Sequence, residues 1–213
     1  MAGGSPDVGA LRRCFLEQAR HAVDAGIDYL QIRERDLEAA ALVDLVQEVV
    51  VLARGSSTRV VVNDRLDVAL AGGAAGVHLR GDSVRPDAVR RAVPGSFVVG
   101  ASVHTLAEAV AAAPSVDYIV AGTVWPTESK ASVATIGLEG LARIAAAVGV
   151  PVLAIGGVTL ERLADTARSG AAGAAAIGLF MSASADRDGC RAQPLRHVVH
   201  AARTAFDTPG SAS

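Results

Sequence analysis

Short, almost wholly apolar runs alternate along this chain with longer stretches whose apolar residues recur at helical spacing. The short runs are residues 29–32, 60–63, 76–79, 97–100, 118–120, 152–155 and 174–177. The helical stretches include 37–52, 86–93, 106–113, 138–148 and 160–169, with a first helix over about 8–25 and a closing helix ending over 198–206. Strands that alternate with helices imply βαβ units and a parallel sheet. Strands that are apolar throughout, rather than alternating, imply a sheet covered on both faces.

A second regularity refines the class. Small residues and a glycine precede a strand three times, at Asp24-Ala25-Gly26-Ile27, Ala71-Gly72-Gly73-Ala74 and Ser169-Gly170-Ala171-Ala172. Each reads as a helix end closed by glycine that feeds the next strand. The pattern predicts a (β/α)8 barrel of the TIM type, and seven of its eight strands are visible. The eighth belongs before the first helix, where Met1 to Asp7 contain no strand-like run, so the first strand is missing or atypical. No composition break or linker divides the chain, so residues 1–213 are expected to form one domain. Order is expected over about 8–206, with a loop over 186–194 and a disordered tail over 208–213.

Composition narrows the function. The chain is 51% hydrophobic but only 3% aromatic, so Ala, Val, Leu and Ile must build its core. A formal net charge of −2 offers no electrostatic case for nucleic acid or an anionic membrane. No apolar run approaches the length of a bilayer span, and no signal peptide is visible at the start. Cys14 and Cys190 lack metal-like spacing and read as reduced thiols, which suits a cytoplasmic protein. A homo-oligomer is compatible with all of this.

Polar residues gather where each strand ends, which in a parallel α/β barrel is the active rim. Gln31, Arg33 and Arg35 lie two apart and so share one side of an extended strand. Asn63 can donate to a phosphate oxygen, and the hard carboxylate of Asp64 suits Mg²⁺. Asn63 and Asp64 could equally cap the helix that follows. His78, Arg80, Asp82 and Ser83 follow the third strand, and Ser102 and His104 the fourth. Thr123, Thr127, Ser129 and Lys130 follow the fifth. Lys130 is the sole lysine among 20 basic residues, a compact point charge beside two hydroxyls, as an anionic group requires. Gly156 and Gly157 permit close backbone approach to a phosphate after the sixth strand. Ile177 and Gly178 close the seventh. The whole describes a pocket for two anionic groups with a divalent ion.

In order along the chain stand Gln31-Ile32-Arg33-Glu34-Arg35-Asp36, Val62-Asn63-Asp64, Gly76-Val77-His78-Leu79, Gly100-Ala101-Ser102-Val103-His104-Thr105, Trp125-Pro126-Thr127-Glu128-Ser129-Lys130 and Ile155-Gly156-Gly157. Together they resemble thiamine phosphate synthase and its relative thiazole tautomerase, over about residues 10–182. The resemblance implies a transferase of thiamine biosynthesis that joins hydroxymethylpyrimidine diphosphate to thiazole phosphate with loss of diphosphate. It implies that Gln31, Arg33, Arg35, Asn63, Ser102 and Lys130 hold the pyrimidine diphosphate, with Arg33, Arg35 and Lys130 as the catalytic cations. It implies that Thr127, Ser129, Gly157, Ile177 and Gly178 hold the thiazole phosphate, and that Asp64 ligates Mg²⁺.

Three departures stand out. The family's second metal carboxylate falls on Ser83, with Asp82 beside it as a substitute ligand. Residue 35 is arginine where the synthases usually carry lysine. The first strand is the third departure. The alternative reading is a tautomerase, whose acid–base histidine falls on Thr123, so that His78 or His104 would have to serve. The remaining reading is a non-catalytic phosphate-binding barrel.

Overall fold

A computed structural model describes residues 8–127, 134–181 and 195–207. Glu128, Ser129 and Lys130 lie outside the described residues, as do the expected loop over 186–194, Cys190 and the tail.

The chain opens with α1 (Val8–Ala25) and β1 (Tyr29–Ile32). It continues through α2 (Ala39–Ala53), β2 (Arg59–Asn63), α3 (Leu66–Ala71), β3 (Gly76–Leu79), α4 (Pro86–Ala92) and β4 (Val98–Val103). Then follow α5 (Leu106–Ala112), β5 (Tyr118–Gly122), α6 (Gly137–Ala147), β6 (Val152–Ile155) and α7 (Leu163–Arg168). β7 (Gly173–Ala175), α8 (Gly178–Met181) and α9 (Leu195–Asp207) complete it. The helix expected over 160–169 begins as a 3-10 turn over Leu160–Arg162. β4 runs to Val103, beyond the expected end, because Ser102 and Val103 still pair with Val120 and Ala121 of β5.

All strand pairs are parallel, and the sheet order β1-β2-β3-β4-β5-β6-β7 follows the chain. The expected eight-stranded barrel is corrected here: among the described residues there are seven strands, and β1 and β7 are edges. No strand precedes α1 among the described residues, so nothing there hydrogen-bonds the two edges together.

Ala22, Leu195 and Val199 form a buried cluster with Leu30 and Phe180 packed against it, so α1, α9, β1 and α8 meet there. Arg203 of α9 donates to the Gly26 carbonyl at 2.8 Å and to Asp28 at 3.0 Å, tying the last helix to the entrance of β1.

Alternation along each strand separates two cores. Ile32, Val62, Val77, Leu79, Val99, Ala101, Ile119, Ala121 and Ala154 face the helices and belong to the large buried cluster. Val61, Val98, Tyr118 and Val120 face inward, with Tyr29, Leu153, Ile155 and Ala175 against them. With so few aromatics, this inner layer depends on one large residue set against a small one. A Cβ on Gly100 would lie 2.2 Å from the Tyr118 ring. Tyr118 occupies that space and stacks on Tyr29, with ring centroids 5.0 Å apart. The stacked rings form a floor, and the strand ends above it carry the polar residues.

Candidate active site

Gln31 is two residues beyond Tyr29 and faces the same inner side, as the spacing predicts. Its Nε2 donates to Asn63 Oδ1 at 2.9 Å, which fixes the amide of Asn63 across the β1–β2 pair. Asp64 follows in the left-handed region, at φ 64°, a conformation that aspartate tolerates better than most residues. Its backbone N–H donates to the His78 carbonyl at 2.9 Å, so the turn is held from β3. The alternative role for this pair, helix capping, is not what occurs. Arg65 is the N-cap of α3, and no side chain caps that helix.

Arg33, Arg35, Asn63, Asp64, Arg65 and Arg80 line one recess of about 290 Å³ at the strand ends. Arg65 is committed to Asp67, through Nε at 2.9 Å and Nη2 at 2.7 Å. Arg33 and Arg35 form no ion pair with any described residue and stand exposed at the mouth. Arg35 is near enough to Asp82 to help hold that carboxyl low, and two guanidiniums with no ion pair among the described residues, beside a fixed amide, make a site for a multiply charged oxyanion.

The turn after β3 arranges the acidic side of the recess. Ser83 accepts from the Arg80 N–H at 2.7 Å and donates its hydroxyl proton to Asp64 Oδ1. Asp82, expected at the metal, turns away: Arg80 Nε donates to its Oδ1 at 2.9 Å and Arg80 Nη2 to its Oδ2. That pairing holds the Asp82 carboxyl below the usual carboxylate range. Asp64, beside Ser83, and Glu34 are the carboxylates that line the recess, and no three His, Cys, Asp or Glu side chains gather to hold a metal among the described residues. This donor set still fits Mg²⁺, which commonly takes one or two carboxylates and leaves its other positions to substrate phosphates and water.

Ser102 sits one strand further round, half-buried, 2.8 Å from His78 Nε2, while His78 Nδ1 meets the Tyr118 hydroxyl at 3.1 Å. Burial pushes the imidazole down to about 4 and the phenol up, so His78 is neutral near pH 7. It is 3% exposed and links the aromatic floor to Ser102. His104, the other candidate base, contacts the Gly122 carbonyl through Nδ1. Thr123 is buried.

Gly156 and Gly157 have φ of 94° and 66°, both in the left-handed region. A Cβ on Gly156 would lie 2.4 Å from Thr123 Cγ2, and one on Gly157 would lie 2.7 Å from Trp125 Cβ. The pair thus lets the turn after β6 lie against the segment after β5. Hydrogen bonds join the two, from Val124 N–H to Ile155 O at 2.9 Å and from Trp125 N–H to Gly156 O at 3.1 Å. Arg162 braces the same junction. It donates to Gly157 O at 2.6 Å and lies over the Trp125 ring, 5.1 Å from its centroid. Thr127 is half-buried just beyond Trp125. Ile177, two positions past the last paired residue Ala175, is 65% exposed, and Gly178 begins α8.

The structure thus gathers Arg33, Arg35, Asn63 and Asp64 at one recess, links Gln31 directly to them, and sets Gly157 and Thr127 on a second, neighbouring junction. From sequence Arg80 is named at the rim but given no role, and Arg162 is not named. Arg80 had a signal: it lies two residues beyond His78, as Arg33 lies two beyond Gln31.

Comparison with known proteins places this rim in a lineage. The thiamine monophosphate synthase family model matches residues 6–180. The chain belongs to that family. It is 41% identical over 167 residues to the thiamine-phosphate synthase of Methanoregula boonei, covering 78% of this chain and 77% of that one. It is 37% identical over 173 residues to the thiamine-phosphate synthase of Roseiflexus castenholzii, covering 80% and 76%. Among solved structures, the thiamine phosphate pyrophosphorylase from Pyrococcus furiosus superposes with a TM-score of 0.75 at 30% identity, over 90% of this chain and 89% of that one.

Proposed function

We infer that this chain is a transferase that joins hydroxymethylpyrimidine diphosphate and thiazole phosphate into thiamine phosphate, with release of diphosphate. Family membership and the similarity to named synthases across more than three quarters of the chain support the reading. The observation that carries it within the site is the pair of guanidiniums, Arg33 and Arg35, in the recess with Asn63 and Asp64.

The bond between the pyrimidine methylene carbon and the diphosphate oxygen breaks, and its electron pair leaves with the diphosphate. The thiazole nitrogen supplies the lone pair of the new C–N bond, and no proton needs to move. The protein's work is therefore to orient two substrates and to stabilise charge growing on the leaving group. Arg33, Arg35 and Lys130 take that charge, with Gln31, Asn63 and Ser102 orienting the diphosphate and pyrimidine. Thr127, Ser129, Gly157, Ile177 and Gly178 hold the thiazole phosphate. The rim in this reading is that of a TIM-like, seven-stranded parallel sheet. A Mg²⁺ ion at Asp64, bound together with the diphosphate, would neutralise part of the leaving group's charge. No titrating base is needed, which agrees with a His78 held neutral by burial.

Arg33→Ala and Arg35→Ala should each lower kcat/KM for the pyrimidine diphosphate by about 100-fold or more, the scale for losing one charge-stabilising donor. The KM for thiazole phosphate should change little. Steady-state kinetics with each substrate varied in turn check this. Equal losses toward both substrates, or none, would remove the two arginines from the diphosphate role.

A further inference from the structure

Arg80 lines the diphosphate recess, yet its guanidinium is turned onto Asp82, and the two form an ion pair at its rim. Three observations bear on what this arrangement does. First, Asp82 is 70% exposed while Arg80 is 30% exposed, so the carboxylate projects to solvent and the guanidinium lies over the recess. A solvent-screened pair of this kind is weak, and a multiply charged anion can outcompete it.

Second, Arg80 and Ser83 belong to one short turn. The Ser83 N–H donates to the Arg80 carbonyl at 3.1 Å, and the Arg80 N–H donates to the Ser83 hydroxyl at 2.7 Å. The stem of Arg80 is thereby anchored while its head is free to exchange partners. Third, the same Ser83 hydroxyl donates to Asp64. A carboxylate at that position would meet Asp64 as a like charge and would need a cation between them. The serine proton satisfies Asp64 without one.

We propose that Arg80 is a diphosphate-binding residue, stored on Asp82 and transferred to the leaving group, and that it gives this chain a diphosphate subsite that holds its ligand without a divalent cation. The proposal rests on the functional reading above for the identity of the ligand. In the free protein, Asp82 competes with the ligand for Arg80. In the bound state Arg80 joins Arg33 and Arg35, while Asp64 stays available to a Mg²⁺ that tightens binding further but is not required for it.

Isothermal titration of inorganic diphosphate into the full chain tests this, first with a chelator and then with Mg²⁺. The wild type should bind in chelator. Arg80→Ala should weaken that binding by about ten-fold or more, and Arg80→Lys should restore part of it. Asp82→Asn, which removes the competitor, should tighten it several-fold and should leave the gain from Mg²⁺ intact. Thermal unfolding of each variant should stay close to wild type, because the pair lies at the surface and Asp82 is 70% exposed.

No binding by the wild type in chelator overturns the proposal. So does unchanged binding by Arg80→Ala, or unchanged or weaker binding by Asp82→Asn. Loss of the Mg²⁺ gain in Asp82→Asn would overturn it too, by making Asp82 a metal ligand. Failure of the functional reading is a separate result: diphosphate would bind as described while the two substrates gave no thiamine phosphate.

Discussion

His78 joins the aromatic floor to the substrate rim through Tyr118 and Ser102, and its burial has a consequence for pH. The unfolded chain protonates this imidazole near its ordinary value of 6.5, whereas the folded chain resists protonation down to about 4. Between those values the unfolded state binds more protons, so this group's contribution to folding stability falls as pH falls through that window. The loss levels off below about 4 at roughly 3 kcal/mol. Urea unfolding of wild type and His78→Gln at several pH values between 7.5 and 4.5 should show the slope in the wild type and a flatter line in the variant. Parallel lines would mean the imidazole is not shielded. Arg80 shows what single-residue reading can miss. Period-two alternation had already marked Gln31, Arg33 and Arg35, and it extends from His78 to Arg80. The partner of Asp82 was not legible, because a turn of four residues decides it, and turn geometry is weakly encoded in residue type.

At the level of elements, the strands were readable because both faces are covered, which makes them apolar throughout. The helix ends were readable because Gly26, Gly73 and Gly170 all take positive φ where the chain leaves a helix. Asn63 and Asp64 read equally well as a cap or as a site. Only the left-handed turn at Asp64 and the bond from Gln31 separate the two. Two glycine positions yield predictions. Gly100→Ala would drive a methyl into the stacked Tyr118 ring, which Tyr29 and His78 hold in place. A loss of about 1–3 kcal/mol is expected by chemical denaturation, and an unchanged midpoint would contradict the packing described. Gly157→Ala combines a left-handed φ with a clash against Trp125. It should raise the KM for thiazole phosphate more than that for the pyrimidine diphosphate, since the junction of β5 and β6 moves and the recess at β1–β3 does not.

Across the whole molecule, charge is distributed with purpose. The chain carries a formal net charge of −2, yet four arginines line one recess at the strand ends. Such local focusing raises the encounter rate of an anionic substrate and is screened by salt. Rising ionic strength should therefore weaken binding of the diphosphate substrate more than that of the monophosphate, which kinetics at several salt concentrations can measure. Among the described residues, no helix is long and apolar enough to cross a membrane. The seven-stranded sheet was legible in the sequence. Its manner of closure was not, because the Leu30–Phe180–Leu195 cluster joins residues from opposite ends of the chain, and apolar positions on amphipathic helices do not declare their partners.

The central claim is that the arginine-lined rim releases diphosphate from a pyrimidine and joins the pyrimidine to the thiazole nitrogen. The most direct measurement is product analysis after incubating the purified chain with hydroxymethylpyrimidine diphosphate, thiazole phosphate and Mg²⁺. Thiamine phosphate and inorganic diphosphate should form in equal amounts, dependent on both substrates. Binding of both substrates with no thiamine phosphate formed would contradict it.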